Sequence, residues 1–207
     1  RWNAGERVVL PLLRRLGARR IEAMVLSHAH RDHVGGAAAI TAALPVGVAL
    51  EPGEAFVEST YHAWLETLAS RGVRWRAVSA GDEWHLDGVR FRVLHPPTAW
   101  PHAGDDLNED STILEVGWGD FRALLMGDAG VVAEAALAGR FGAADVLKVG
   151  DHGSRTASSA ALLAEVRPQV AMISVGRNRY GHPTPEAMSR LRAVGARIWR
   201  TDREGHI

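Results

Sequence analysis

The chain has 207 residues, no cysteine and a formal net charge of zero. That length suits one large domain with a full two-layer core, and the lack of cysteine excludes disulfides and thiolate metal sites, so any metal must be held by His, Asp, Glu or Asn. Neutrality argues against a protein that coats nucleic acid by charge alone, and no apolar run approaches the roughly twenty residues that span a bilayer, nor does a signal-peptide pattern open the chain.

Residues 5–16 place Val8, Val9, Leu12, Leu13 and Leu16 at helical spacing, interrupted by Pro11 and closed by Gly17, which predicts an opening helix. Residues 23–27 are an apolar run that predicts a short buried strand, and it leads into Ser-His-Ala-His-Arg-Asp-His-Val-Gly-Gly at 27–36. At an extended strand end residues i and i+2 point the same way. His28 and His30 can therefore grip one ion, while Asp32 and His33, in the turn that follows, face a second ion beside it. Imidazole with carboxylate is a ligand set for zinc, or for manganese where carboxylates dominate.

Residues 35–44 then read as a helix, 46–50 as a strand and 54–70 as a helix. Phe56, Tyr61, Trp64, Leu65 and Leu68 recur on one side of it, a stripe read as core-facing rather than as a ligand box. Residues 73–78, 83–86 and 91–94 are short strands separated by Gly-Asp and Asp-Gly turns, which predicts antiparallel sheet with His85 on its surface. Pro96 and Pro97 end the strand after His95, and residues 98–110 read as a polar loop. A hairpin of residues 112–116 and 121–126 runs straight into Gly127 and Asp128.

From there helices (131–137, 158–166, 185–194) alternate with strands (145–149, 170–175, 197–200). The strand at 145–149 carries Lys148, the only lysine in a chain rich in arginine, which reads as base-composition bias of the genome. It leads to Asp151, His152 and Ser154. Thr184 can cap the last long helix, with Pro185 at its first position, so His182 has an ordinary reading as a helix-entry residue. The whole predicts an α+β sheet sandwich flanked by helices, without repeats or linkers.

The H-x-H-x-D-H pattern followed by Gly-Gly at a strand end resembles the signature of the metallo-β-lactamase superfamily of metal-dependent hydrolases. Residues 147–156 (LKVGDHGSRT) resemble the His-His-Gly-Ser element of the lactamase-like domain in ComEC-type competence proteins. That similarity continues through residues 170–186 to Thr201 and Asp202, and it covers residues 6–36 and the stretch from Asn108 and Ser111 to Asp128.

The resemblance implies an αββα sandwich forming a single domain over 1–207, and two divalent ions, zinc or manganese. Proteins of this fold begin with strands before their first helix, so the chain is expected to be a piece of a longer protein, lacking those strands. Asp128 is carried over as the carboxylate between the two ions, with Asp151 and His152 in place of the family's paired histidines. An Asp151 ligand would shift preference toward manganese or magnesium. The third ligand of the first ion stays open among His95, His102, Asn108 and Asp110.

Asp32 could accept a proton from the attacking water, and His182 could act as general acid. Asn108 and Ser111 match the family pattern and could orient a ligand or bond a phosphate of the substrate, and Ser154 is an implied substrate contact. The implied activity is a nuclease acting on single- or double-stranded DNA during uptake in natural transformation. The implied setting is a soluble, extracytoplasmic domain of a membrane-embedded ComEC-like protein, without lipid insertion of its own. Two other readings stand beside it: another esterase of the same fold, such as a phosphorylcholine esterase or small phosphodiesterase, and a non-catalytic domain that docks DNA or a partner. The arginines at 71–76 and 177–179 could contact phosphate, although exposed arginines are ordinarily solvated surface.

Overall fold

The computed structural model describes residues 2–53, 56–100 and 106–205. The chain divides into two compact units, Arg1–Val78 and Ser79–Ile207.

The first unit opens on a wide helical turn, Gly5–Val9, continuing into α1 (Leu10–Arg15). The Leu10 amide reaches back five residues to the Gly5 carbonyl, and Pro11 brings no donor of its own to the next turn. Strands β1 (Ile21–Val25), β2 (Val46–Glu51) and β3 (Arg74–Ala77) form a parallel sheet in that order. Between them run α2 (Arg31–Val34), α3 (Ala37–Ala43) and α4 (Ser59–Ser70). Tyr61, Trp64 and Leu68 of α4 bury against Leu26, Ala29, Val34, Ala37 and Ala49, with Phe56 and Leu65 at the margin, so the aromatic stripe is core.

Two expectations are corrected in this unit. The helix placed at 54–70 starts at Ser59, because the Glu58 carboxylate accepts the amides of Thr60 and Tyr61 and ends the extended segment there; residues 54 and 55 lie outside the described residues. The strand at 73–78 was expected to join the antiparallel stretch, yet β3 pairs in parallel with β2. The twelve-residue α4 between them is the kind of crossover that a parallel pair needs.

The Gly-Gly after the histidine motif has a packing cause. A Cβ on Gly36 would sit 2.7 Å from the Gly5 amide nitrogen, and one on Gly5 would sit 2.3 Å from the Gly36 carbonyl oxygen. The opening helical turn thus meets the start of α3 backbone to backbone.

In the second unit β4 (Glu83–Leu86), β5 (Val89–His95), β6 (Ile113–Trp118) and β7 (Phe121–Leu125) run antiparallel, as expected. Then β8 (Val146–Lys148), β9 (Val170–Ile173) and β10 (Arg197–Arg200) extend the sheet in parallel, giving the order β10-β9-β8-β7-β6-β5-β4. The connecting helices α5 (Val131–Ala136), α6 (Ala160–Val166) and α7 (Pro185–Ala193) contribute Ala133, Leu162, Leu163 and Leu191 to a core shared with Leu124, Leu147 and Ala171. A short α8 (Thr201–Glu204) follows β10, and His85 is exposed.

Two buried carboxylates fix where α5 and α6 begin. Glu109 accepts the amides of Gly130 and Ala133, and Glu134 accepts those of Ser158 (2.6 Å) and Ser159 (2.8 Å). The expected polar loop at 98–110 includes a short 3-10 turn, Leu107–Asp110, which carries Glu109.

Glu51, at the end of β2, is buried and accepts hydrogen bonds on one oxygen from Tyr61 Oη (2.6 Å) and Trp75 Nε1 (3.0 Å). Burial raises its pKa above the ordinary 4.5, opposed by those two bonds. A raised folded-state pKa gives stability that is full below the unfolded value and is lost as pH rises through the folded one. Glu51→Gln keeps an oxygen for both donors and removes the ionisation. Denaturant unfolding from acid to mildly alkaline pH should therefore show the wild type losing stability relative to the variant as pH rises above 4.5, by about 1.4 kcal/mol per unit of pKa elevation. Parallel pH curves for the two proteins would count against a buried ionising Glu51.

Candidate metal centre

Each unit presents metal-ligating side chains beyond the carboxyl ends of its parallel strands, where open α/β sheets bind ligands. In the first unit the Leu26 amide still pairs with the Leu50 carbonyl at 2.8 Å, and the chain then leaves the sheet. His30 is extended (φ −62°, ψ 146°) and α2 starts one residue later, so Asp32 and His33 lie on a single helical turn rather than an open one. The His28 ring is edge-on to His30 with centroids 4.7 Å apart and tilted on His33 at 4.1 Å. His28 therefore touches both neighbours, where the spacing rule paired it with His30 alone.

Ser27 organises the cluster. Its Oγ lies 3.2 Å from His28 Nδ1 and 3.0 Å from His33 Nδ1. One hydroxyl hydrogen serves only one ring, so the other ring must donate from Nδ1. His28 Nε2 lies 3.0 Å from His30 Nδ1. Asp32 is exposed on the first turn of α2.

In the second unit β7, β8 and β9 are adjacent and parallel, so the residues that follow each strand meet at one edge. After β7, Gly127 turns the chain at φ 58° and delivers Asp128, only 3% exposed. The Asp128 amide donates to Ser111 Oγ at 3.0 Å. After β8, Asp151 and His152 both adopt left-handed backbone angles (φ 42° and 52°). His152 Nδ1 lies 2.6 Å from the Ser174 carbonyl beyond β9, and since a carbonyl only accepts, Nδ1 carries the proton.

His152 Nε2 then faces Asp128 Oδ2 at 3.1 Å. Two acceptors at that distance repel unless a proton or a cation lies with them. The donor set is thus one that a divalent ion fits.

Of the pair that replaces two histidines, His152 is the member directed at Asp128. Asp151 is half-buried, and burial raises its pKa, opposed by a hydrogen bond with Ser154 and reinforced by the Asp128 charge. His182 lies near enough to Asp151 to act on it electrostatically; its ring stacks on Tyr180 at 5.7 Å and its Nδ1 has no hydrogen-bond partner. Thr184 also caps α7 through the Ala187 amide at 3.3 Å, so the helix-entry reading of this segment holds as well.

The remaining candidates separate by burial. Ser111 is fully buried and its hydroxyl receives the Asp128 amide, so it fixes the Asp128 backbone. His95 is also fully buried, with Nδ1 donating to the Ser111 carbonyl at 3.1 Å and Trp100 edge-on at 4.5 Å; burial lowers its pKa. Asn108 and Asp110 lie on the Leu107–Asp110 turn. Ser154 is buried with Oγ 3.2 Å from Thr156 Oγ1. His102 lies outside the described residues. Arg71, Arg74, Arg76, Arg177 and Arg179 are exposed, as solvated surface is. Sequence reasoning missed Ser27, the Ser174 carbonyl and Lys148, whose Nζ lies 3.3 Å from Asp128 Oδ1.

The sequence model of the Metallo-beta-lactamase superfamily matches residues 2–177. Among curated proteins the chain is similar to Recombination protein 2 of Haemophilus influenzae (34% identity over all of this chain and 24% of that protein) and to ComE operon protein 3 of Bacillus subtilis (31%, all of this chain and 26% of that protein). Competence protein ComA of Neisseria gonorrhoeae is 34% identical over 99% of this chain and 27% of its own length. The chain thus spans about a quarter of these relatives.

Solved structures with the same fold include CmlA, a diiron beta-hydroxylase from Streptomyces venezuelae (TM-score 0.61, 14% identity, 89% of this chain and 44% of that one). Another is the metallo-beta-lactamase fold protein YhfI from Bacillus subtilis (TM-score 0.59, 11% identity, 94% and 81%). The chain belongs to the metallo-beta-lactamase superfamily, in the α+β fold of that group, and is similar over its whole length to part of the ComEC-type competence proteins.

Proposed function

We propose that the chain is a metal-dependent phosphodiesterase that cuts DNA during its uptake, as the extracytoplasmic part of a longer, membrane-embedded ComEC-type protein. Superfamily membership supports hydrolysis, and the names of the relatives, recombination and competence proteins, support DNA. Among the described residues no helix is long and apolar enough to cross a membrane, so membrane attachment would belong to the rest of such a protein. The observation that supports the metal reading is His152 Nε2 set against Asp128 Oδ2 at 3.1 Å, with the other ring nitrogen on a carbonyl.

His28, His30, Asp32, His33, Asp128, His152 and Asp151 would hold two divalent ions, zinc or manganese. Bound there, the ions supply Lewis acidity, neutralise charge on the phosphoryl oxygens and make water a stronger acid. The chain's own groups do the rest. Asp32, exposed at the start of α2, accepts the proton of the attacking water. His182, whose Nδ1 has no hydrogen-bond partner, gives a proton to the departing oxygen. Asn108, through its Nδ2 amide, and Ser154, through its hydroxyl, are the polar groups that donate to phosphate, while Ser111 holds Asp128 in place.

Two measurements test this reading. Elemental analysis of the 207-residue chain should find about two ions, with cleavage of single- or double-stranded DNA in manganese and loss of nearly all of it in Asp128→Ala. Cleavage of a small phosphodiester but not of DNA would assign a different esterase, and a chain without ions or cleavage would be a docking domain. Ser27→Ala should lower ion affinity about 10–100-fold in a competition titration against a chromophoric chelator, as loss of a ligand-orienting hydrogen bond does; unchanged affinity would remove Ser27 from the site.

A further inference from the structure

Lys148 is the single lysine among 24 lysines and arginines. Composition bias accounts for the arginines, but not for the one position that escapes it. That position is on β8 beside the candidate ligand: Nζ donates to the Gly127 carbonyl and to Asp128 Oδ1, the latter at 3.3 Å.

The same unit shows what a guanidinium does with an aspartate. Arg200 grips both oxygens of Asp202, Nε to Oδ1 at 2.9 Å and Nη2 to Oδ2 at 2.7 Å. Arginine's planar fork matches a carboxylate edge, whereas an ammonium is a compact charge that can engage one oxygen. Lys148 engages Oδ1 alone, and Oδ2 remains turned to His152 Nε2 at 3.1 Å.

We propose that Lys148 is a positioning residue that ties down Asp128 Oδ1 and so makes Asp128 a one-oxygen ligand, a task that excludes arginine at this position. The proposal rests on the metal reading above, and it narrows that reading: Asp128 reaches metal through Oδ2. An arginine here would engage both oxygens and compete with the ion for Oδ2 as well. A neutral, non-forked side chain would leave Oδ2 available.

The test is isothermal titration of manganese and zinc into the 207-residue chain as wild type, Lys148→Arg and Lys148→Gln, with folding checked by circular dichroism. Lys148→Arg should bind at least about tenfold more weakly, while Lys148→Gln stays within about threefold of wild type. A structural or charge role would give the opposite order, with arginine the better substitute. Where Lys148→Arg does not fold, guanidination of the folded wild type with O-methylisourea, which turns the chain's one lysine into homoarginine, places a guanidinium at the same position. Wild-type affinity in Lys148→Arg or in the guanidinated chain overturns the proposal, as does equal weakening in both substitutions. A wild type that takes up no ion overturns the metal reading and this proposal with it, an outcome independent of any change at Lys148.

Discussion

An imidazole nitrogen and a carboxylate oxygen held 3.1 Å apart, His152 Nε2 and Asp128 Oδ2, form the contact on which the account of this protein depends. It is a repulsive arrangement in the neutral ring and becomes favourable only with positive charge, whether a proton or a metal ion. Nothing in the arrangement is loose. The Ser174 carbonyl fixes the ring through Nδ1, Ser111 Oγ fixes the Asp128 amide, and Lys148 occupies Oδ1. Ser111 in turn is held by His95, buried beneath Trp100.

This arrangement follows from sheet topology. Three neighbouring parallel strands end at the same edge, so the residues just past Leu125, Lys148 and Ile173 converge without being close in sequence. The left-handed backbone at Asp151 and His152 is costly for residues with a Cβ and needs surrounding structure to hold it. Nearby, buried Glu109 accepts amides at the start of α5 and buried Glu134 accepts those of Ser158 and Ser159 just before α6. The first unit uses the same device at β1, where chain leaving the sheet gathers two imidazoles on one serine hydroxyl, with the third, His30, against His28.

Much of this was legible in the amino-acid order, because the informative patterns are local. Four ligating side chains within six positions, apolar runs ending in Gly-Asp, and helices alternating with strands all appear over short windows. Strand partnership does not. Residues 74–77 look like the first arm of a hairpin, and only the crossover through α4 pairs them with β2. Nor does periodicity disclose that Ser111 faces inward, or that a buried His95 braces it across 16 residues. Lys148 did carry a signal, its solitude in an arginine-rich chain, but composition alone assigned that to the genome. Its meaning depends on the neighbouring strand that brings Asp128 beside it.

The claim that both ligand sets hold divalent ions is tested most directly by anomalous diffraction at the manganese edge from crystals of the chain grown with that ion. The account predicts strong peaks bounded by the imidazoles of His28, His30 and His33 and by Asp128 Oδ2 with His152 Nε2. Peaks only at surface carboxylates, with these imidazoles and Asp128 free of metal, would contradict it.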